Sequence, residues 1–306
     1  MPSAETAFID LLRAASTFPA ARGLLDDAAV LDIGGTQLVL TKDMLVEGVH
    51  YLPDDPPEDV AWKLLAVNLS DLAAKGARPL GVLLGFTLGA ADWDRRFARG
   101  LNTACEELGA PLLGGDTVAG DPRHARTLSL TAIGVCGEVV PSRSGAKAGD
   151  RLWITGTVGD AMLGCRALQR GEWAPDALVR AYRRPQPRLA EGRALAPLVT
   201  AMMDVSDGLL LDAGRMALAS GCGVSIERAA VPHSADFLHA ADPAAIDDAL
   251  RWGDDYQLLF TLPPDAQPPV AATAVGRFIA ADPGTLLLDG APVIAPLGYQ
   301  HGGAAD

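Results

Sequence analysis

No stretch of the sequence has the form G-x-x-x-x-G-K-[S/T], and none makes a convincing G-x-G-x-x-G. If the chain uses a nucleotide, it does not grip it through a glycine-rich phosphate loop. Gly221-Cys222-Gly223 reads as the end of a helix. Cysteine is scarce. Cys105, Cys136, Cys165 and Cys222 stand far apart with no C-x-x-C pair, which argues against a disulfide framework or a zinc site. No uncharged apolar run reaches the ~18 residues a membrane span needs, although mean hydropathy is +0.18. The first residues carry Glu5 and Asp10 where a secretory leader places positive charge and an apolar block. A cytoplasmic location with no membrane role is the expectation. Basic residues are outnumbered, 25 Lys and Arg against 38 Asp and Glu, for a formal charge of −13. Such a surface repels nucleic acid, so no nucleic-acid partner is expected.

What is present is ample apolar material, 49% of 306 residues, enough for two ordinary domains. Gly and Pro are scattered, so they mark turns rather than a disordered tail. Periodicity predicts helices over 5–16, 57–75, 92–108, 159–170, 175–184, 188–198 and 207–220, with helical stretches in 233–251. Strands are expected near 28–32, 37–41, 110–113, 127–137, 151–155, 200–204, 223–227 and 256–262. Asp55-Pro56-Pro57-Glu58 reads as a helix start with a capping acid. The polar segment 142–150 reads as a junction. The expectation is an α/β protein, with mixed sheets covered by helices. The two domains are drawn as 1–140 and 141–306.

Aspartate recurs beside turn-forming residues: Asp26-Asp27, Asp43, Asp71 in NLSD, Asp116 in GGDT, Asp204 and Asp207 in DVSDG, and Asp254-Asp255 in GDDY. Each alone is more often a cap or turn residue. Asp71 is different. Val60, Leu64, Val67 and Asp71 share one helical face, so the carboxylate points where the apolar residues point. A buried carboxylate must meet a cation or strong donors. The ordinary answer is an ion pair with an arginine; the functional one is a magnesium ligand. Asp204 ends an apolar strand and Ser206-Asp207-Gly208 opens a helix, a common ligand position in α/β sheets. Amides there attract phosphate, and aspartates beside phosphate call for a hard divalent ion between them. His50, without ligand-spaced neighbours, suits phosphate contact better than zinc. Arg143 could neutralise phosphate charge.

Taken together, the segments D26-D-A-A-V, T41-K-D-M-L-V-E-G-V-H50, A66-V-N-L-S-D-L-A-A-K-G-A77, G114-G-D-T117, R143-S-G-A-K-A-G-D150, D204-V-S-D-G-L209 and G253-D-D-Y256 resemble the thiamine-monophosphate kinase family. This family sits in a wider group with aminoimidazole ribonucleotide synthetase and selenophosphate synthetase. The resemblance implies two α/β domains, 1–140 binding ATP and magnesium and pairing into a homodimer through its sheet, and 141–306 completing the cleft. It implies several magnesium ions held by Asp27, Thr41, Lys42, Asp43, Asp71, Asp116, Asp204 and Asp207. Gly115, Asp116, Arg143 and Ser206 are implied as nucleotide contacts, and His50, Asp254 and Tyr299 as contacts to thiamine monophosphate. Three departures stand out. Lys42 replaces a usual Thr; its backbone carbonyl can still bind metal, but its ammonium would repel one. Asp254 replaces Glu, one methylene longer. LLDD replaces GDD.

The reaction implied is in-line transfer of the ATP γ-phosphoryl group to thiamine monophosphate, yielding thiamine diphosphate for its biosynthesis. No catalytic general base is expected, because the acceptor phosphate, with a second pKa near about 6, is already largely ionised. The alternatives are a related ATP-dependent enzyme with another acceptor, or a magnesium–nucleotide binding protein without turnover.

Overall fold

The computed structural model describes residues 4–121 and 123–302. The chain builds two sheets, each from its own half. The first half runs α1 (Ala4–Arg13), a 3-10 turn (Pro19–Leu24), β1 (Ala29–Ile33), β2 (Thr36–Val46), α2 (Pro57–Ala74), β3 (Arg78–Leu88), α3 (Ala91–Leu108), β4 (Leu112–Ala119) and β5 (Thr127–Cys136). Its sheet has the order β1-β2-β5-β3-β4, with β3 and β4 parallel and the other pairs antiparallel. The β3–α3–β4 unit supplies the helical crossover that a parallel pair needs.

The second half runs β6 (Arg151–Thr155), α4 (Asp160–Arg170), α5 (Asp176–Arg183), α6 (Leu189–Leu195), β7 (Ala201–Asp204), α7 (Leu209–Ser220), β8 (Gly223–Ile226), α8 (Ala235–Ala240), α9 (Pro243–Trp252), β9 (Leu258–Leu262), β10 (Ala272–Ile279), β11 (Leu286–Leu288) and β12 (Ala291–Pro292). The order of its mixed sheet is β12-β11-β8-β10-β6-β9-β7.

The α2 helix is the keystone. Its sequence is apolar nearly all round, and all but three of its residues are buried, only Glu58, Asp59 and Asp71 being partly open. One side packs on β2 and β5 in the first core, with Leu64, Leu65 and Leu69 among Leu128, Leu130 and Ala132. The other meets the second half, where Ala73 and Ala74 share a core with Met202, Leu258 and Phe260. The helix therefore lies between the two sheets.

The far face of the first sheet is bare. Met44, Leu83 and Val118 are 48%, 40% and 53% exposed. Side chains alternate across a strand, so these belong to the face opposite α2. Every described residue of the edge strand β4 is exposed.

Most expected elements form, with informative differences. Gly109 ends α3 with φ 67°, the left-handed stop that glycine permits. Asp55 does not cap α2, whose N-cap is Pro56 without a side-chain bond. It instead accepts the Leu52 amide at 2.8 Å and pairs with Arg183 at 2.7 Å. β2 runs on through Asp43, and β4 runs through Gly114–Thr117, where the sequence suggested turns. β3 and β10 carry no clean alternation and interior glycines, so no strand was expected there.

Candidate active site

Three chain segments bring their carboxylates to one point between the sheets. Asp27 comes from the turn before β1, Asp71 from α2 and Asp204 from the end of β7. One oxygen from each lies within 4.8 Å of the others. Thr41, on the α2-facing side of β2, donates its hydroxyl to Asp71 Oδ2. Ser70 donates to Asp204 Oδ2 at 2.6 Å, and the Asp43 amide is held by Asn68 Oδ1 at 2.8 Å. Asp71 makes no ion pair among the described residues, so the arginine partner that ordinary packing suggested is not there.

Cations surround only part of this group. Lys75, fully buried, pairs with Asp26 and with Asp27 Oδ2 at 2.7 Å. Arg143 binds Asp27 Oδ1, and Arg215 bridges Asp207 and Asp212. Burial alone would raise the Asp27 pKa, but Lys75 and Arg143 hold it below the ordinary value. Asp26 is likewise depressed, by Lys75 and Arg22 against its burial. The uncompensated carboxylates go the other way. Burial, then the charges of Asp207 and Asp27, lift Asp43 to about 6. Burial and Asp27 lift Asp204 to about 8 despite Ser70. Asp71 is raised by burial and by Asp43, Asp204 and Asp27. Burial and the mutual repulsion of adjacent carboxylates raise such groups.

The set fits a hard divalent cation. Magnesium takes oxygen ligands, one or two carboxylates among them, and keeps room for phosphate oxygens. Asp27, Asp71 and Asp204 offer one oxygen each, with Asp43 and Thr41 alongside.

On one side of the cluster lies a ring-lined rim. His50 Nδ1 accepts the Val46 amide at 3.0 Å, so the neutral ring carries its proton on Nε2. Burial first, then His301, lowers the His50 pKa. Asp254 sits in the left-handed region at φ 61°. Both its oxygens are engaged, Oδ2 with buried Lys63 at 2.7 Å and Oδ1 with the Tyr256 hydroxyl at 3.1 Å. Lys63 also donates to the His50 carbonyl at 3.0 Å and lies 4.1 Å from the centre of the Tyr182 ring. The turn after β7 is stapled to this segment, the Asp254 amide donating to the Ser206 carbonyl at 2.9 Å. Tyr299 reaches the same turn through its amide, bonded to the Asp207 carbonyl at 2.9 Å.

Three candidates lie elsewhere. Gly115 and Asp116 are on the exposed edge strand β4, with Asp116 level with Gly85 on β3. Three strand spacings separate β4 from β2, roughly 14 Å. Gly115 has a packing reason of its own, since a Cβ there would run into the Leu84 carbonyl. The Lys42 ammonium turns to the opposite sheet face and donates to Ser129 Oγ at 3.2 Å, away from the carboxylates it would have repelled. The LLDD departure is also absorbed. Leu25 has φ −114°, open to any residue, and Leu24 takes the left-handed turn at φ 54°.

Lys63, Asn68, Ser70, Lys75, Asp212 and Arg215 were not singled out from the sequence. Lys63, Asn68 and Ser70 lie on α2 and Lys75 follows its last turn, and their burial comes from the packing of both halves on that helix.

Comparison with known proteins places the chain. The AIR synthase related protein family matches in two blocks, its N-terminal domain over residues 25–136 and its C-terminal domain over 147–286. The thiamine-monophosphate kinase of Salmonella typhimurium is 39% identical over 303 residues, covering 91% of each chain. The chain belongs to the thiamine-monophosphate kinase family. The Escherichia coli K12 member is 40% identical over 253 residues, 79% of this chain and 76% of that protein. Among solved members, AaThiL complexed with AMPPCP and TMP superposes with a TM-score of 0.88 at 32% identity, covering 97% of this chain and 96% of that one.

Proposed function

We propose that this protein transfers the γ-phosphoryl group of ATP to the phosphate of thiamine monophosphate, giving thiamine diphosphate and ADP. The observation that carries the reading is the convergence of Asp27, Asp71 and Asp204 beside the His50–Tyr299 rim, in a chain of this family. The halves 1–140 and 141–306 act as the two domains, with the transfer at their cleft.

Magnesium ions held by Asp27, Asp43, Asp71 and Asp204, with Thr41, Asp207 and the Lys42 carbonyl nearby, would neutralise phosphate charge and template the in-line geometry. Lys75 and Arg143 keep Asp27 ionised and aimed. Arg143 and Ser206 lie where the nucleotide phosphates would rest, near the amide-rich opening of α7. His50 donates from Nε2 to the acceptor phosphate. Asp254, closed off by Lys63 and Tyr256, shapes the acceptor side rather than offering a free charge. No residue must take a proton, since the acceptor phosphate is already largely a dianion at neutral pH.

The bare sheet face, with Met44, Leu83 and Val118 exposed on it, supports a homodimer, because exposed apolar side chains grouped on one face mark association surfaces. In that dimer Gly115 and Asp116 would serve the site of the second copy. Replacing Leu83 by Glu should then give a monomer in analytical ultracentrifugation with activity reduced at least tenfold. A dimeric, fully active Leu83→Glu protein would sink this arrangement. No described helix is long and apolar enough to cross a membrane, and we place the protein in the cytoplasm, where its ATP is.

The deciding experiment is ADP release from purified protein with ATP and magnesium, with and without thiamine monophosphate, the product identified by chromatography. ADP that requires the acceptor and appears with thiamine diphosphate is the expected result. Magnesium-dependent ATP binding without turnover would overturn it.

A further inference from the structure

The C-terminal tail brings a further ring to the rim beside His50 and Tyr299. Gly298 packs so tightly on the turn after β7 that a Cβ there would press on the Asp207 carbonyl and Leu211. Two residues after Tyr299, the His301 ring lies 5.2 Å from His50 and 5.0 Å from Tyr299, edge-on to the latter at 90°. Its backbone amide donates to Glu5 Oε2 at 3.2 Å, so α1 ties the tail down. Among the described residues, neither nitrogen of the His301 ring has a hydrogen-bond partner. The ring is exposed and serves no core. Two imidazoles and a phenol from the loop after β2 and from the chain's far end thus meet at one place, beside the turn that carries Asp207.

We propose that His301 is an acceptor-site residue, its ring N–H directed to the phosphate of thiamine monophosphate beside His50, with Glu5 holding the tail in register. The inference rests on thiamine monophosphate being the acceptor. A phosphate dianion rewards every N–H donor aimed at it, and such charge-assisted bonds are the strong ones. An arrangement of unpartnered donor, neighbouring donor His50 and anchored backbone leaves little ordering to be done on binding.

The test is steady-state kinetics on the full chain. His301→Leu should raise the KM for thiamine monophosphate about tenfold or more, leaving the KM for ATP and the melting temperature unchanged. His301→Asn, which keeps an N–H donor, should recover much of that loss. Glu5→Ala should move the same KM in the same direction, by less. An unchanged acceptor KM in His301→Leu overturns the inference, as does an Asn variant no better than Leu. Both are distinct from failure of the acceptor assignment itself, which would show as wild-type protein releasing no ADP in response to thiamine monophosphate.

Discussion

Asn at position 204 should abolish turnover while leaving the protein folded, and without metal the variant should melt no lower than the wild type. The carboxylate of Asp204 faces Asp27 and Asp71, and its burial, then the charge of Asp27, lifts its pKa to about 8. Without metal the buried carboxyl is already largely neutral at pH 7, so the Asn variant loses no charge pairing, and its side-chain oxygen can still accept from Ser70. The same charge is needed once a divalent cation and two polyanions share the cleft. Losing one such ligand costs several kcal/mol of transition-state stabilisation, a factor of about 10³ or more in kcat. Asp71→Asn should behave alike. Circular dichroism and melting curves beside the kinetics separate this from unfolding. Full activity in either variant would break the metal assignment.

The second large effect is a stability that falls as pH rises in the absence of metal. For a carboxyl whose folded pKa lies above the unfolded value of about 3.9, the folded state binds more protons. Its stabilising contribution is complete below that unfolded value and is lost as pH climbs through the folded one. Asp43 at about 6 and Asp204 at about 8 set the window between pH 4 and 8. Asp26 and Asp27, depressed by their cations, titrate below it and act with the opposite sign, so they do not mask it. Each group contributes up to about 1.4 kcal/mol per pH unit while it titrates, so the melting temperature with EDTA should drop by several degrees from pH 5 to pH 8. Magnesium should reverse the drop, and more strongly at pH 8, because it binds the ionised site. A flat or rising profile in EDTA would show that the cluster is not an uncompensated set of charges.

Much of this site could be read from residue order. Asp71 betrayed itself by sharing a face with Val60, Leu64 and Val67, and Asp204 by ending an apolar strand before a helix start. Lys63 and Lys75 did not, because a lysine every few residues on a helix usually means a wet face. Only the packing of both sheets on α2 shows that this helix has none. Arg215 was hidden in α7 for the same reason. Asp116 lies away from this chain's own cluster. Its GGDT motif reads as part of the cluster, yet strand order puts it at the far edge of the sheet and on the other face. Sequence distance carries no information about which face of a sheet a side chain leaves from until pairing register is known. β3 escaped notice because its two glycines and Pro79 blur any alternation.

The position of α2 also bears on how the protein is made. When synthesis has passed residue 140, the emerging chain holds Asp27, Thr41, Asp43 and Asp71, but the side of α2 that meets Met202, Leu258 and Phe260 is still wet, and Asp204 does not yet exist. Such a half-finished chain leaves an apolar helix face open to water and lacks one carboxylate of the cluster. The first half can pack its own side of α2, but the three-carboxylate cluster closes only after the second half has been made.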